Sequence, residues 1–337
     1  MGHNVGYINP WGEKGETRII VNGHTGLPSL FEKPYYYPWN NVKDEEDLTF
    51  LEKHDFVIVP FYGGFLDWII RAKETTKAKI FAITDIELNA LPYAKHEALT
   101  KIVKVAKMVD WLASSNPDFT PLLKAVRKDV VEVGGWCLFN EIHKKYILAP
   151  KEKNRNLIAI GCSNSGYNRD ILNNLCVFKE LKKLYSKLRG YLYYVHPKNI
   201  KSIKELIEEI EVEDVCLMPE YSWEQFLQVY SQNYLAIHMY SFRVVSRLAQ
   251  DSAALGIPMV GGDVNYANRL CFPDISVDPF AVDKAVEFVD KLLKDDDFYN
   301  EVRDKALKEV EYYNRENIKS RIIKVVENEE ATQEIQE

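Results

Sequence analysis

Gly161-Cys162-Ser163-Asn164-Ser165-Gly166-Tyr167-Asn168-Arg169-Asp170 follows directly on the apolar run Leu157 to Ile160. A strand that ends in a loop of small residues and opens into a helix makes a ready anion site. Backbone N–H groups and the positive helix end both face the anion there. A second stretch, Arg243 to Gly256, runs into Ile257-Pro258-Met259-Val260. It puts Arg243, Arg247 and Asp251 four residues apart, hence on one helical face, with Val244 to Leu255 read as the helix.

Two cations suit a diphosphate, and one carboxylate suits the two hydroxyls of a ribose. The two stretches together point to a nucleotide-sugar site. A plainer reading of the second stretch is a surface series of i,i+4 ion pairs, each contributing a few tenths of a kcal/mol. The first stretch has P-loop spacing, but Tyr167-Asn168 stands where Lys-Ser/Thr is needed, which rules out the usual ATPase reading. Its plain reading is a tight turn with Arg169 on a solvated face.

Around these stretches the chain alternates strands and helices. Leu157 to Ile160, Tyr191 to Val195, Val215 to Met218, Tyr234 to His238 and Pro258 to Val260 read as strands. Ile171 to Leu184, Ile200 to Ile210 and a helix after Ser222-Trp223-Glu224-Gln225, a capping-box sequence, lie between them. Gly256 ends the helix that carries Asp251. Phe280 to Lys294 and Tyr299 to Tyr313 read as further helices, and Asn317 to Val326 as a last one before an acidic tail. Upstream, Val5 to Ile8, Phe56 to Val59, Lys79 to Ile83, Trp111 to Ala113 and Val131 to Val133 read as buried parallel strands. His96 to Val109 reads as a helix, while residues 25–47 carry no clear assignment. This alternation predicts parallel α/β layers. The polar stretch Lys151 to Arg155 places a boundary, giving an acceptor domain over residues 1–152, a nucleotide-sugar domain over 153–315, and a C-terminal helix with polar tail over 316–337.

The 337 residues suit two domains, and 46% hydrophobic with 28% charged residues is the composition of a globular protein in water. No apolar run approaches the ~20 residues of a membrane span. Met1-Gly2-His3-Asn4 shows no basic-then-apolar signal, and five scattered cysteines form no C-x-x-C pair, so a reducing cytoplasm is the expected location. The net charge of −7 weighs against broad nucleic-acid binding, although a local basic patch is compatible with an acidic total. Seven histidines show no ligand spacing, so no metal site is expected.

Asp85, in Thr84-Asp85-Ile86-Glu87, follows the Lys79 to Ile83 strand and is a candidate general base, or a helix N-cap. Tyr221 could pack against a nucleobase, or be one more structural tyrosine among 20. Trp11, Gly12 and His24 are candidate acceptor-side residues, and Asp295-Asp296-Asp297 reads as a turn or cap.

The second half resembles the nucleotide-sugar domain of GT-B glycosyltransferases that carry a Glu-x7-Glu motif. Gly256-Ile257-Pro258-Met259-Val260 is similar to their G-P-V-V-like segment; Asp251 stands at the second Glu and Arg243 at the first. A second resemblance is to the inverting phage DNA β-glucosyltransferases. Ile83-Thr84-Asp85-Ile86 is similar to their F-T-D-I segment, and Gly161 to Arg169 to their phosphate loop, G-G-S-F-R-S-G-Q-R. The resemblance implies two Rossmann-like domains facing across a cleft, with Asp85 as base. It implies a donor site made of Gly161, Ser163, Ser165, Arg169, Tyr221, Arg243, Arg247 and Asp251. The expected activity is metal-independent transfer of a sugar, a hexose for preference, from a UDP- or GDP-sugar to a glycan, lipid, protein or small molecule, without a bound cofactor. A sugar-nucleotide epimerase, a silent scaffold subunit and a DNA-base glucosyltransferase are the alternatives.

Overall fold

The computed structural model describes residues 5–9, 35–84, 94–134, 140–162 and 170–333. The chain forms two compact units, Met1–Cys137 with Tyr312–Glu337, and Leu138–Glu311.

In the first unit, strands β1 (Val5–Asn9), β2 (Tyr35–Pro38), β3 (Phe56–Phe61), β4 (Ile80–Thr84), β5 (Trp111–Ser114) and β6 (Val131–Glu132) form one sheet of order β2-β1-β3-β4-β5-β6. Its described pairs are all parallel. Helices α1 (Trp39–Val42), α2 (Gly64–Thr75), α3 (His96–Met108) and α4 (Thr120–Val126) connect or follow the strands. The period-2 geometry of a strand sorts the side chains between two faces. Val57, Val59 and Phe61 of β3, with Ile80 and Ala82 of β4, pack with Leu66 and Ile69 of α2 and Val105 of α3. Phe56, Ile58, Phe81 and Ile83 point into a separate cluster with Ile318, Ile322 and Val326.

That second cluster corrects the expected domain limits. The last helix, Arg315–Gln333 in chain order, is not an appendage over 316–337. Ile318, Ile322 and Val326 are spaced by four and make one apolar stripe that covers the open face of the first sheet. Burying three such side chains contributes roughly 1.5–3 kcal/mol each, which fixes the chain's end to its beginning. The other limit falls after Cys137, not at the Lys151 to Arg155 stretch.

The second unit opens with α5 (Asn140–His143) and then repeats strand and helix: β7 (Asn154–Cys162), α6 (Ile171–Leu184), β8 (Arg189–Tyr193), α7 (Ile200–Ile210), β9 (Val215–Leu217), α8 (Trp223–Tyr230), β10 (Asn233–His238), α9 (Arg247–Ala254), β11 (Met259–Gly262), α10 (Tyr266–Cys271) and β12 (Ser276–Val277). Helices α11 (Val282–Lys294), α12 (Asp296–Glu309) and α13, the Arg315–Gln333 helix of the first unit, complete the chain. The sheet order, β9-β8-β7-β10-β11-β12, is parallel throughout. Counted from β7 it is 3-2-1-4-5-6, the doubly wound order in which strand succession reverses between the first and fourth strands. That reversal lies between β7 and β10, and ligands of such sheets sit outside the carboxyl ends at this point.

Local chemistry explains the boundaries. Ser222 caps α8 through its Oγ on the Gln225 N–H while Gln225 Oε1 accepts from Ser222 N–H, the expected capping box. Asp295 Oδ1 accepts from Phe298 N–H at 2.9 Å at the start of α12, so the Asp295 to Asp297 run is a helix start. Gly256, at φ +59, ends α9: its N–H meets Ala253 O and the Ile257 N–H reaches back to Ser252 O, a Schellman closure.

Candidate functional site

At the β7/β10 reversal, Ile160 lies opposite Ile237, which sets Gly161 level with His238 at the carboxyl ends of both strands. Gly161 has φ +83, and a Cβ there would stand 2.7 Å from Asn174 Nδ2. Glycine is required both by conformation and by space. Asn174, fully buried on α6, spans the switch point. Its Oδ1 accepts from the Met239 N–H at 2.7 Å and its Nδ2 donates to Asp170 O at 3.2 Å. Asp170, at φ +42 just before α6, accepts the Ser241 N–H at 2.5 Å on its carboxylate. The loop leaving β10 is thus tied at two points to the start of α6. An aromatic column stiffens it further, with His238 and Tyr240 stacked at 5.4 Å and Tyr240 and Phe242 at 5.5 Å.

The same loop ends at α9, and here the expected helix is corrected. Helix α9 starts at Arg247, not at Val244. The carbonyls of Val244 and Val245, which a longer helix would use, accept instead from the N–H groups of Tyr266 and Ala267 at the start of α10. Ser246 takes φ +62 and caps Ala249 N–H. Arg243 therefore does not share a helical face with Arg247 and Asp251. It is exposed on the loop after β10.

Arg247 and Asp251 do pair. Arg247 Nε donates to both carboxylate oxygens at 3.1 Å, and His143 Nε2 lies 2.9 Å from Asp251 Oδ1. Trp223 completes the group. The Arg247 guanidinium sits 5.2 Å from the centre of its ring, and the His143 ring meets it edge-on at 5.2 Å. Residues from α5, α8 and α9 thus converge on one buried carboxylate, 3% exposed. Burial alone would raise the Asp251 pKa, but the Arg247 charge and the His143 hydrogen bond outweigh it and hold the carboxyl below its usual range. Tyr221, half-buried, lies two residues before Trp223 in the segment between β9 and α8.

At the far end of α9, Lys153 Nζ donates to Leu255 O at 3.3 Å and Gly256 O at 2.6 Å, satisfying carbonyls that the helix leaves open. Burial and the nearby Arg303 charge push its pKa down to about 7.

Of the expected donor residues, Gly161, Tyr221, Arg243, Arg247 and Asp251 are described, all in the second unit. Ser163, Ser165 and Arg169 lie outside the described residues, as do Asp85, Trp11, Gly12 and His24. Sequence reasoning missed Asn174, Asp170, Trp223 and His143. Asp170 and Asn174 carried a weak signal, four residues apart across the α6 start. His143 had none, because its partner is 108 positions away. Among the described residues no helix is long and apolar enough to cross a membrane.

No family model matches the sequence, and no curated protein matches it. Solved structures match its fold. The chain is similar to α,α-trehalose 6-phosphate synthase from Burkholderia multivorans, with a TM-score of 0.74 at 9% identity over 99% of this chain and 100% of that one. It is similar to Alr3699/HepE from Anabaena, solved with UDP-glucose, with a TM-score of 0.72 at 9% identity over 97% of this chain and 100% of that one. It is also similar to TarM from S. aureus, solved with fondaparinux, α-GlcNAc-glycerol and UDP, with a TM-score of 0.65 at 14% identity; the match covers 82% of this chain but only 57% of that one. Two parallel α/β units and these neighbours give the chain the GT-B fold.

Proposed function

We propose that the protein is a glycosyltransferase that takes a sugar from a UDP-sugar donor bound at the carboxyl end of the second sheet. The observation that carries this is the β7/β10 switch point, where Gly161, Asn174 and Asp170 fix the loop after β10 against the start of α6. A diphosphate placed there would meet backbone N–H groups at the start of a 14-residue helix. UDP or UDP-glucose bound to proteins of this fold supports a uridine nucleotide over the other bases. Tyr221 is the candidate to pack against the base.

Arg169, just before α6, and Arg243, on the loop tied to it, are the cations we assign to the leaving diphosphate. They would stabilise its developing charge in the role that a metal fills elsewhere. Asp85 follows directly on β4 and is the candidate base that takes the acceptor's proton if the reaction inverts. The acceptor is a hydroxyl-bearing molecule engaged by the first unit, with Trp11, Gly12 and His24 as candidate contacts.

The test is UDP release from UDP-glucose, UDP-galactose and UDP-N-acetylglucosamine, each with a panel of glycan, glycerol and sugar-phosphate acceptors. Acceptor-dependent UDP release with a glycosylated product supports the proposal. An altered free sugar formed without an acceptor would replace transfer by epimerisation.

A further inference from the structure

Asp251 is the only acidic residue of α9, and the sequence pattern assigns it to the ribose. Its surroundings argue for a different task. Oδ1 already meets His143 Nε2 at 2.9 Å and Arg247 Nε at 3.1 Å, and Oδ2 meets Arg247 Nε at 3.1 Å. Its side chain is 4% exposed and that of His143 1%. Two neighbouring hydroxyls need both oxygens of a carboxylate on an open edge. To admit them here, His143 or Arg247 would have to leave and strand a buried charge. Each is also held by a third body, since both rings or planes rest on Trp223 at 5.2 Å.

We infer that Asp251 is a positioning residue. It fixes Arg247 and His143 around Trp223, sets the start of α9 beneath the β10 loop, and does not hold the hydroxyls of the donor's ribose. Selectivity for a ribonucleotide over its 2′-deoxy counterpart does not pass through this carboxylate. The inference rests on the nucleoside-diphosphate reading above and narrows it. His143 thereby gains a role: it occupies the lone pair that a ribose would otherwise take, and it links α5, at the start of the second unit, to the donor loop.

The experiment is calorimetric titration of wild type, Asp251→Asn and His143→Gln with UDP and with 2′-deoxy-UDP, with unfolding midpoints recorded without nucleotide. The expected result is that Asp251→Asn weakens both nucleotides fivefold or more and by the same factor, so that the ratio of the two dissociation constants stays within twofold of wild type. His143→Gln, which keeps the carboxylate and serves if Asp251→Asn does not fold, leaves the ratio unchanged while weakening both. A purely structural residue would lower the midpoint and leave both dissociation constants alone, and that result overturns the positioning role. A tenfold change of the ratio in either variant overturns the inference directly, because it shows the carboxylate reading the ribose. Binding of neither nucleotide to wild type is distinguishable from both: it removes the donor reading, and this inference with it.

Discussion

Gly161→Ala perturbs the switch point at one atom. The residue sits at φ +83, where an L side chain costs about 1–2 kcal/mol. The new Cβ would also lie 2.7 Å from Asn174 Nδ2, so the amide must move. Moving it strains the bonds to Met239 N–H and Asp170 O, for about 1 kcal/mol each. The sum is a loss of about 3–4 kcal/mol. Asn174→Ala should by itself cost about 1–3 kcal/mol, because Met239 is fully buried and its N–H is left without a partner. The double variant separates the two causes. With the amide gone the Cβ has room and there are no bonds left to strain, so the double variant should be more stable than the sum of the single losses by about 2 kcal/mol. Urea unfolding of the four proteins gives the cycle, and UDP titration should show both single variants binding more weakly. Additive losses, or a Gly161→Ala protein as stable as wild type, would refute the claim that Asn174 packs against this glycine to lock the loop after β10.

Lys153, held near neutral pH by burial and Arg303, gives a pH signature. Its unfolded pKa is near 10.5 and its folded one is lowered to about 7, so between these the unfolded chain binds more protons and stability rises with pH. Wild type should gain about 2 kcal/mol from pH 7 to 9 relative to Lys153→Met, read by urea midpoints at both values; a flat difference would show that the lysine is not desolvated. Ser222→Ala should cost about 1 kcal/mol by removing the α8 cap, and a midpoint unchanged within error would mean that the capping box contributes nothing. Asp85→Asn should abolish acceptor-dependent UDP release while leaving the UDP dissociation constant within twofold; unchanged turnover would remove Asp85 from the mechanism.

Where local chemistry decides, the sequence was legible. The helix over Ile171 to Leu184 appears with its expected limits, as does the start of α8 after Ser222, because periodicity and caps act within a few residues. Gly161 was visible as a loop glycine, but its reason, the Asn174 amide, comes from another element. Helix α9 begins three residues later than the sequence pattern suggests, because the partners of the Val244 and Val245 carbonyls lie some twenty positions on, at Tyr266 and Ala267. The strand β2 and helix α1, within the unassigned residues 25–47, carry aromatic and polar residues without clean period, and only pairing with β1 makes Tyr35–Pro38 a strand. The C-terminal helix shows its apolar spacing in the sequence, yet nothing local says that its stripe covers a sheet built from the first part of the chain. The spacing of Arg247 and Asp251 suits the ion pair that they form, while Arg243 falls outside α9. That spacing missed His143 and Trp223, and with them the ion-pair knot that Asp251 serves.

The most direct test of the donor site is the thermal unfolding midpoint with UDP, GDP, ADP, dTDP and CDP, each at the same concentration, without and with Mg²⁺. A ligand that binds only the folded chain stabilises it by mass action, by about 2.7 kcal/mol at a hundred times its dissociation constant. The account predicts the largest rise with UDP, present without Mg²⁺. An unchanged midpoint with every nucleotide would contradict it.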